Sequence, residues 1–104
     1  MTKVVFRFSD NAIKGFSLSG HTGAGTAGND IVCAAVSSAA YMAANTLTEI
    51  CGAQADVAVA DGYMSLSLTE TDDSIQKILE GFLLHINGLQ EQYPKRIQVL
   101  KTEV

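Results

Sequence analysis

Apolar and polar residues alternate at the start of the chain and predict a β-hairpin. Over residues 3–9, Val4, Phe6 and Phe8 fall on one face, and the intervening side chains fall on the other. This period of two is typical of a half-buried strand. The next two residues, Asp and Asn, favour a turn, and residues 13–19 continue as a second strand. The chain therefore opens with two adjacent antiparallel strands.

Two helices follow from the hydrophobic pattern further along the chain. The Ala-rich segment 30–51 predicts a long first helix, with Asp30 as its N-cap and Gly52 just beyond its end. A second helix begins at Asp72 or Asp73, either of which has the side chain of an N-cap, and stops before the single Pro. Its apolar stripe has helical spacing and comprises Ile75, Ile78, Leu79, Phe82, Ile86, Leu89 and Tyr93.

The remaining segments complete an α+β pattern. Residues 53–69 predict a second hairpin, for which we expect Asp61 and Gly62 to form a primed turn. Residues 96–101 predict a last strand. The order ββαββαβ favours a single domain over residues 1–104, with two helices packed in one layer on a mainly antiparallel sheet.

Composition and charge narrow the class of protein. The chain has 104 residues, of which 47% are hydrophobic, and its net charge of −4 opposes direct binding to nucleic acid. Its uninterrupted apolar stretches are far shorter than the ~20 residues of a membrane-spanning helix, and the first residues do not resemble a signal peptide. We therefore expect a cytoplasmic protein that binds neither nucleic acid nor a membrane.

Six residues, GAGTAG at 23–28, match the dinucleotide-binding pattern G-x-G-x-x-G. In that fold the helix begins within the glycines, whereas here they precede the expected cap at Asp30. The acidic residue expected about 20 positions later corresponds to Glu49, which falls inside the first helix. We interpret residues 22–29 as a mobile lid and expect no cofactor.

The two cysteines differ in their surroundings. Along one helix, Cys33 and Cys51 would lie roughly 27 Å apart, too far for a disulfide within the chain. The cysteines and histidines also lack the short spacings of a zinc site. With Asp30 as N-cap, Cys33 occupies the first helical turn, where the helix dipole stabilises a thiolate, and Asp30, Cys33 and Ser37 share one face. The alternative is that Cys33 is a small core residue.

One histidine is placed to act with this thiol. His21 follows Gly20 at the end of the first hairpin, and the intervening loop is long enough to fold back towards Cys33. A surface histidine at the start of a loop is the alternative interpretation. His85 borders the apolar stripe of the second helix, which favours a structural role.

The paired motifs GH and GNDIVCAAVS resemble the ribosomal-processing cysteine protease family, Prp. The resemblance extends over the whole chain. It implies that His21 and Cys33 form the catalytic pair, and that Gly20, Asp30 and Ser37 belong to the supporting motif. Asp30 either orients the histidine or only caps the helix, and the sequence leaves both roles open.

The same resemblance implies a substrate and an assembly. The substrate would be the N-terminal extension of a large-subunit ribosomal protein, cut after an aromatic-rich stretch, and the protease would be a homodimer. No metal or cofactor is implied. Leu84 projects away from the apolar stripe of the second helix, which indicates a second covering layer or a dimer contact, although a single exposed Leu is common. The rival hypothesis is a non-catalytic ribosome-associated module that binds a peptide in the same groove.

Overall fold

The strands and helices follow one another in the order that the hydrophobic pattern predicts. A computed structural model describes residues 1–20 and 31–104. Its elements are β1 (Thr2–Ser9), β2 (Ala12–Ser19), α1 (Ile31–Asn45), a π turn (Thr46–Ile50), β3 (Ala55–Ala60), β4 (Tyr63–Leu68), α2 (Asp73–Gln92) and β5 (Ile97–Glu103). The predicted order ββαββαβ and the α+β class are confirmed.

The strands form one mixed sheet in the order β3-β4-β2-β1-β5. Each hairpin pairs its own strands, and β2 joins the two hairpins by antiparallel pairing with β4. β5 returns after α2 and pairs with β1 in parallel, because the helix carries the chain back along the sheet before the last strand begins. The sheet is therefore mainly antiparallel, as predicted, and has β3 and β5 at its edges.

The first hairpin has the turn predicted at Asp10 and Asn11, whereas the second turn differs from the expectation. Asp10 and Asn11 have φ values of 54° and 66°, so the first hairpin has the pair of positive φ angles that defines a type I′ turn. In the second turn Gly62 has a φ of 71°, whereas Asp61 is not among the described residues with positive φ. The prediction of a primed turn at Asp61 and Gly62 is therefore wrong, because a primed turn needs positive φ at its first central residue.

Both helices pack on the same face of the sheet and share one hydrophobic core. Phe82 of α2 lies between two strand residues, with its ring centroid 5.4 Å from that of Phe6 and 4.8 Å from that of Phe16. The apolar stripe of α2 is confirmed, since its members are buried or half-buried. The residues that α1 buries are small or branched: Val32, Val36, Ala40, Ala43 and Ala44.

The start of α2 is capped by a side chain. The carboxylate of Asp72 accepts a hydrogen bond of 2.9 Å from the backbone N–H of Ile75, so Asp72 is the N-cap and Asp73 is the first helical residue. This bond satisfies one of the backbone donors that a helix leaves open in its first turn. The corresponding prediction for Asp30 lies outside the described residues.

The first helical segment ends in a π turn, whereas a continuous α-helix to residue 51 was expected. The hydroxyls of Thr46 and Thr48 donate to the carbonyls of Met42 and Ala44, at 2.7 and 3.0 Å. The N–H of Cys51 donates to the carbonyl of Thr46 at 2.9 Å, and this bond between residues five apart is characteristic of a π turn. Gly52 follows with a φ of 66°, as expected of a residue just past a helix end.

The combined segment Ile31–Ile50 is long and apolar enough, by length and composition alone, to cross a membrane. In the fold, one face of this segment lies in the core, where Val36, Ala40 and Leu47 are fully buried. Burial against the sheet therefore accounts for the apolar residues of this face, whereas Ile31, Met42 and Ile50 of the same segment are exposed.

Candidate active site

A pocket of about 130 Å³ opens where α1, the end of β2 and the turn of the second hairpin meet. Its walls combine three parts of the chain that are distant in sequence. The lining residues are Leu18, Gly20, Cys33, Ser37, Tyr41, Ala60, Gly62, Tyr63 and Met64.

Cys33 lies in the first turn of α1 and its half-buried side chain faces this pocket. Ser37 and Tyr41 follow at intervals of four residues, so the three side chains form one stripe along the helix. The expectation that Cys33 and Ser37 share a face is confirmed.

Gly20 forms the opposite wall and ends β2 in a conformation that suits glycine. Its φ is 86°, and a Cβ atom at this position would lie 2.6 Å from the carbonyl oxygen of Met1. Its N–H donates a hydrogen bond of 3.0 Å to the carbonyl of Gly62. The structure therefore brings Gly20, Cys33 and Ser37, three of the five predicted site residues, to one pocket.

The other two predicted residues, His21 and Asp30, lie outside the described residues, as does the predicted lid over 22–29. Of the alternatives, Cys51 is half-buried against the core and His85 is exposed on α2. Neither cysteine is in a disulfide. Cys33 is thus the thiol that lines the pocket.

Sequence reasoning missed two tyrosines of the pocket. Tyr41 had a usable signal, because it lies eight residues after Cys33 and so on the same helical stripe. Tyr63 had none, since it reaches the site through the pairing of β4 with β2, in which Tyr63 is opposite Ser19 and Met64 is opposite Leu18. Such a pairing between distant segments has no signature in local periodicity.

The pocket suits covalent chemistry by a thiol. Within residues 1–20 and 31–104, no group of three His, Cys, Asp or Glu side chains is placed to hold a metal ion. The polar groups of the described walls include the Cys33 thiol and the hydroxyls of Ser37, Tyr41 and Tyr63. A thiol in the first turn of a helix, at a pocket open to solvent, is the arrangement of a cysteine-dependent enzyme.

Comparison with known proteins identifies the family. The family model described as cysteine protease Prp matches residues 1–98, and the chain therefore belongs to this family of cysteine proteases. The chain is 25% identical over 100 residues to the ribosomal processing cysteine protease Prp of Bacillus subtilis, and the match covers 89% of each protein. These matches confirm the family that the paired motifs predicted.

Solved structures share the fold. The crystal structure of SMU.848 from Streptococcus mutans is 30% identical, with a TM-score of 0.87, and the match covers 100% of this chain and 96% of that one. The ribosomal processing protease Prp of S. aureus, crystallised with a covalently linked product peptide, is 24% identical, with a TM-score of 0.91 and coverage of 98% and 100%. The same S. aureus protein has also been crystallised with a substrate peptide.

Proposed function

We propose that this protein is an endopeptidase that removes the N-terminal extension of a large-subunit ribosomal protein. Membership of the Prp family supports proteolysis, and the name of the Bacillus subtilis relative supports ribosomal processing. The observation that carries the proposal is the pocket, because Cys33 faces it together with Gly20 and Ser37 of the same motif. The extension would be cut after an aromatic-rich stretch.

In this proposal Cys33 is the nucleophile and His21 is its proton partner. The thiolate attacks the scissile carbonyl carbon, and the protonated imidazole then gives its proton to the leaving amine as the C–N bond breaks. Water hydrolyses the resulting thioester and regenerates the thiol. His21 directly follows Gly20 in the chain, and Gly20 lines the pocket. This position supports the role of His21 as the proton partner of Cys33. Asp30 and Ser37 support the pair, Asp30 as helix cap or as the partner of His21.

Backbone N–H groups are the proposed stabilisers of the oxyanion. The first N–H groups of a helix have no partner within it and point outward from its start. Cys33 lies in the first turn of α1. When its sulfur bonds to the scissile carbonyl carbon, the former carbonyl oxygen becomes the oxyanion and would be close to such donors. We place the enzyme in the cytoplasm and expect it to act as a homodimer.

The experiment is cleavage of a synthetic peptide that spans the junction between the extension and the mature ribosomal protein, followed by mass spectrometry. Cys33→Ala and His21→Ala should each lower kcat/KM at least about a thousandfold. The matched variants Cys51→Ala and His85→Ala remove the same side chains elsewhere and should retain activity.

Absence of cleavage by the wild-type protein, or unchanged cleavage by Cys33→Ala, would show that the proposal is wrong. Binding of the peptide without cleavage by the wild-type protein would instead support the non-catalytic peptide-binding module.

A further inference from the structure

Within residues 1–20 and 31–104, no element covers the edge strand β3, and Asp56 is the one charged residue on this strand. Natural edge strands carry Lys or Pro residues, bulges or a covering element, because their open backbone groups attract other strands. The sequence of β3 is ADVAVA, and its pairing with β4 runs without a register shift from Ala55 to Ala60. Such an open, regular edge is suited to accept a further strand.

The register shows which backbone groups are available. The N–H of Thr69 donates to the carbonyl of Gln54, which makes this a hydrogen-bonded pair of the β3–β4 ladder. Because such pairs alternate, Asp56, Ala58 and Ala60 also turn their N–H and C=O groups towards β4. The backbone groups of Ala55, Val57 and Val59 therefore point away from the sheet. Among the described residues, no backbone hydrogen bond outside the helices and strands involves the outward N–H and C=O groups of Ala55, Val57 and Val59.

Two exposed valines of this edge are close to the active-site pocket. Val59 is the cross-strand partner of Met64, and Val57 is that of Leu66, so both valines lie on the helix side of the sheet. They remain 56% and 45% exposed, whereas Met64 and Leu66 are buried. Since Met64 and Ala60 line the pocket, Val59 lies next to the pocket, as neighbour of Ala60 in β3 and as cross-strand partner of Met64.

The opposite edge of the sheet is different. On β5, the N–H of Val99 donates to the side-chain oxygen of Gln90 at 2.6 Å, and the N–H of Ile97 donates to the carbonyl of Tyr93 at 3.1 Å. Outward donors in the first half of that strand are therefore already satisfied. The contrast makes β3 the better edge for strand addition.

Charge indicates what binds there. Asp56 and Asp61 lie on β3 and its turn, and neither β3 nor β4 contains Lys or Arg. The nearest cation shown is Arg7, whose guanidinium donates to the hydroxyl of Ser67, the cross-strand partner of Asp56. Pairing of β3 with β3 of a second copy would bring these carboxylates together, which is unfavourable. A basic peptide would instead meet opposite charge, which favours association and a defined orientation.

We propose that an extended, basic segment of the substrate binds as a sixth strand along the free edge of β3, held by the backbone groups of Val57 and Val59. This inference rests on the proposed function, since it assigns the site to the peptide that flanks the scissile bond. Alternate side chains of the bound segment would pack on Val57 and Val59, as in other complexes formed by strand addition.

Proline substitution tests the hydrogen bonds directly. Val57→Pro and Val59→Pro each remove one outward N–H, which the pairing with β4 does not use, and proline is tolerated at such edge positions. Each should raise the KM for the junction peptide about three- to tenfold while kcat stays unchanged. Val57→Thr and Val59→Thr keep the N–H and should show a smaller rise. Glu103→Pro removes an outward N–H from β5 and should have no effect.

Amide hydrogen exchange provides a second measurement that needs no catalysis. When the junction peptide is added to the Cys33→Ala variant at about ten times its Kd, exchange at Val57 and Val59 should slow about tenfold. The amide of Glu103 should be unaffected. Because this measurement uses no proline variant, it tests strand addition even if the proline variants do not fold.

The outcomes separate the two proposals. Suppose that the wild-type protein cleaves the peptide, but the proline variants keep the wild-type KM and the peptide does not slow exchange at Val57 and Val59. Strand addition is then wrong, and the protease function stands. If the wild-type protein does not cleave the peptide, the proposed function is wrong, and slowed exchange at Val57 and Val59 alone decides on strand addition. Protection of these amides that depends on protein concentration, without peptide, would assign the edge to a second copy and overturn the inference.

Discussion

The carbonyl of Gly62 accepts a hydrogen bond of 3.0 Å from the N–H of Gly20, and this bond joins the end of β2 to the turn of the second hairpin. Both glycines line the pocket that Cys33 faces. The bond therefore determines where the chain leaves the sheet and enters the segment that contains His21.

Gly20→Ala tests this junction. The new Cβ would meet the carbonyl oxygen of Met1 in a left-handed conformation, so the free energy of unfolding should fall by about 1–3 kcal/mol. Peptide cleavage should also fall, because the end of β2 must shift. Gly52→Ala is the matched control, since Gly52 has a φ of 66° but nothing within 4 Å of its Cβ position. It should lose stability by about 1–2 kcal/mol and keep its activity. Equal activity in both variants would argue against this role for Gly20.

Tyr41 should contribute to substrate binding through its ring. It lines the pocket, is 45% exposed and contacts solvent in the absence of substrate. Tyr41→Ala should raise KM about two- to tenfold, the range expected for loss of one aromatic contact, whereas Tyr41→Phe should stay close to wild type. Met42→Ala, at an exposed neighbouring position outside the pocket lining, serves as control. A KM that is unchanged in Tyr41→Ala would remove this residue from the binding site.

Phe82 connects α2 to the strands through two aromatic contacts. Phe82→Ala should lower the free energy of unfolding by about 3–5 kcal/mol, because it removes buried surface and leaves a cavity. Urea denaturation followed by circular dichroism measures this loss. Leu84→Ala, on the same helix but 75% exposed, should change stability by less than about 0.5 kcal/mol. Similar midpoints for the two variants would contradict this account of the core.

Asp72 and Asp73 are adjacent acidic residues with different roles. Asp72→Ala should cost about 1 kcal/mol, because the Ile75 N–H loses its cap. Asp73→Ala removes only the favourable interaction of a charge with the helix dipole, worth about 0.3–1 kcal/mol at most. Thermal unfolding of the two variants, measured in parallel with the wild-type protein, compares their losses of stability. A larger loss in Asp73→Ala would reverse the assignment of the cap.

Local periodicity is sufficient to predict most of the secondary structure. The strands of both hairpins, the stripe on α2 and the shared face of Cys33 and Ser37 all depend on residues within a few positions of one another. For each of these segments, only one type of secondary structure places all the apolar side chains on one face. The secondary structure could therefore be predicted without the rest of the chain. The π turn after α1 was missed because the spacing of apolar residues does not distinguish one wide turn from the last turn of an α-helix.

The sequence by itself thus determined the α+β order of elements, the nucleophile candidate Cys33 and, through its paired motifs, the family. Tertiary structure alone decided the parallel pairing of β1 with β5, the placement of Tyr63 and Met64 beside Cys33, and the open edge at β3. These features arise from contacts between segments far apart in the chain. The packing of the whole core selects which strands pair and in which register. Local periodicity does not predict either.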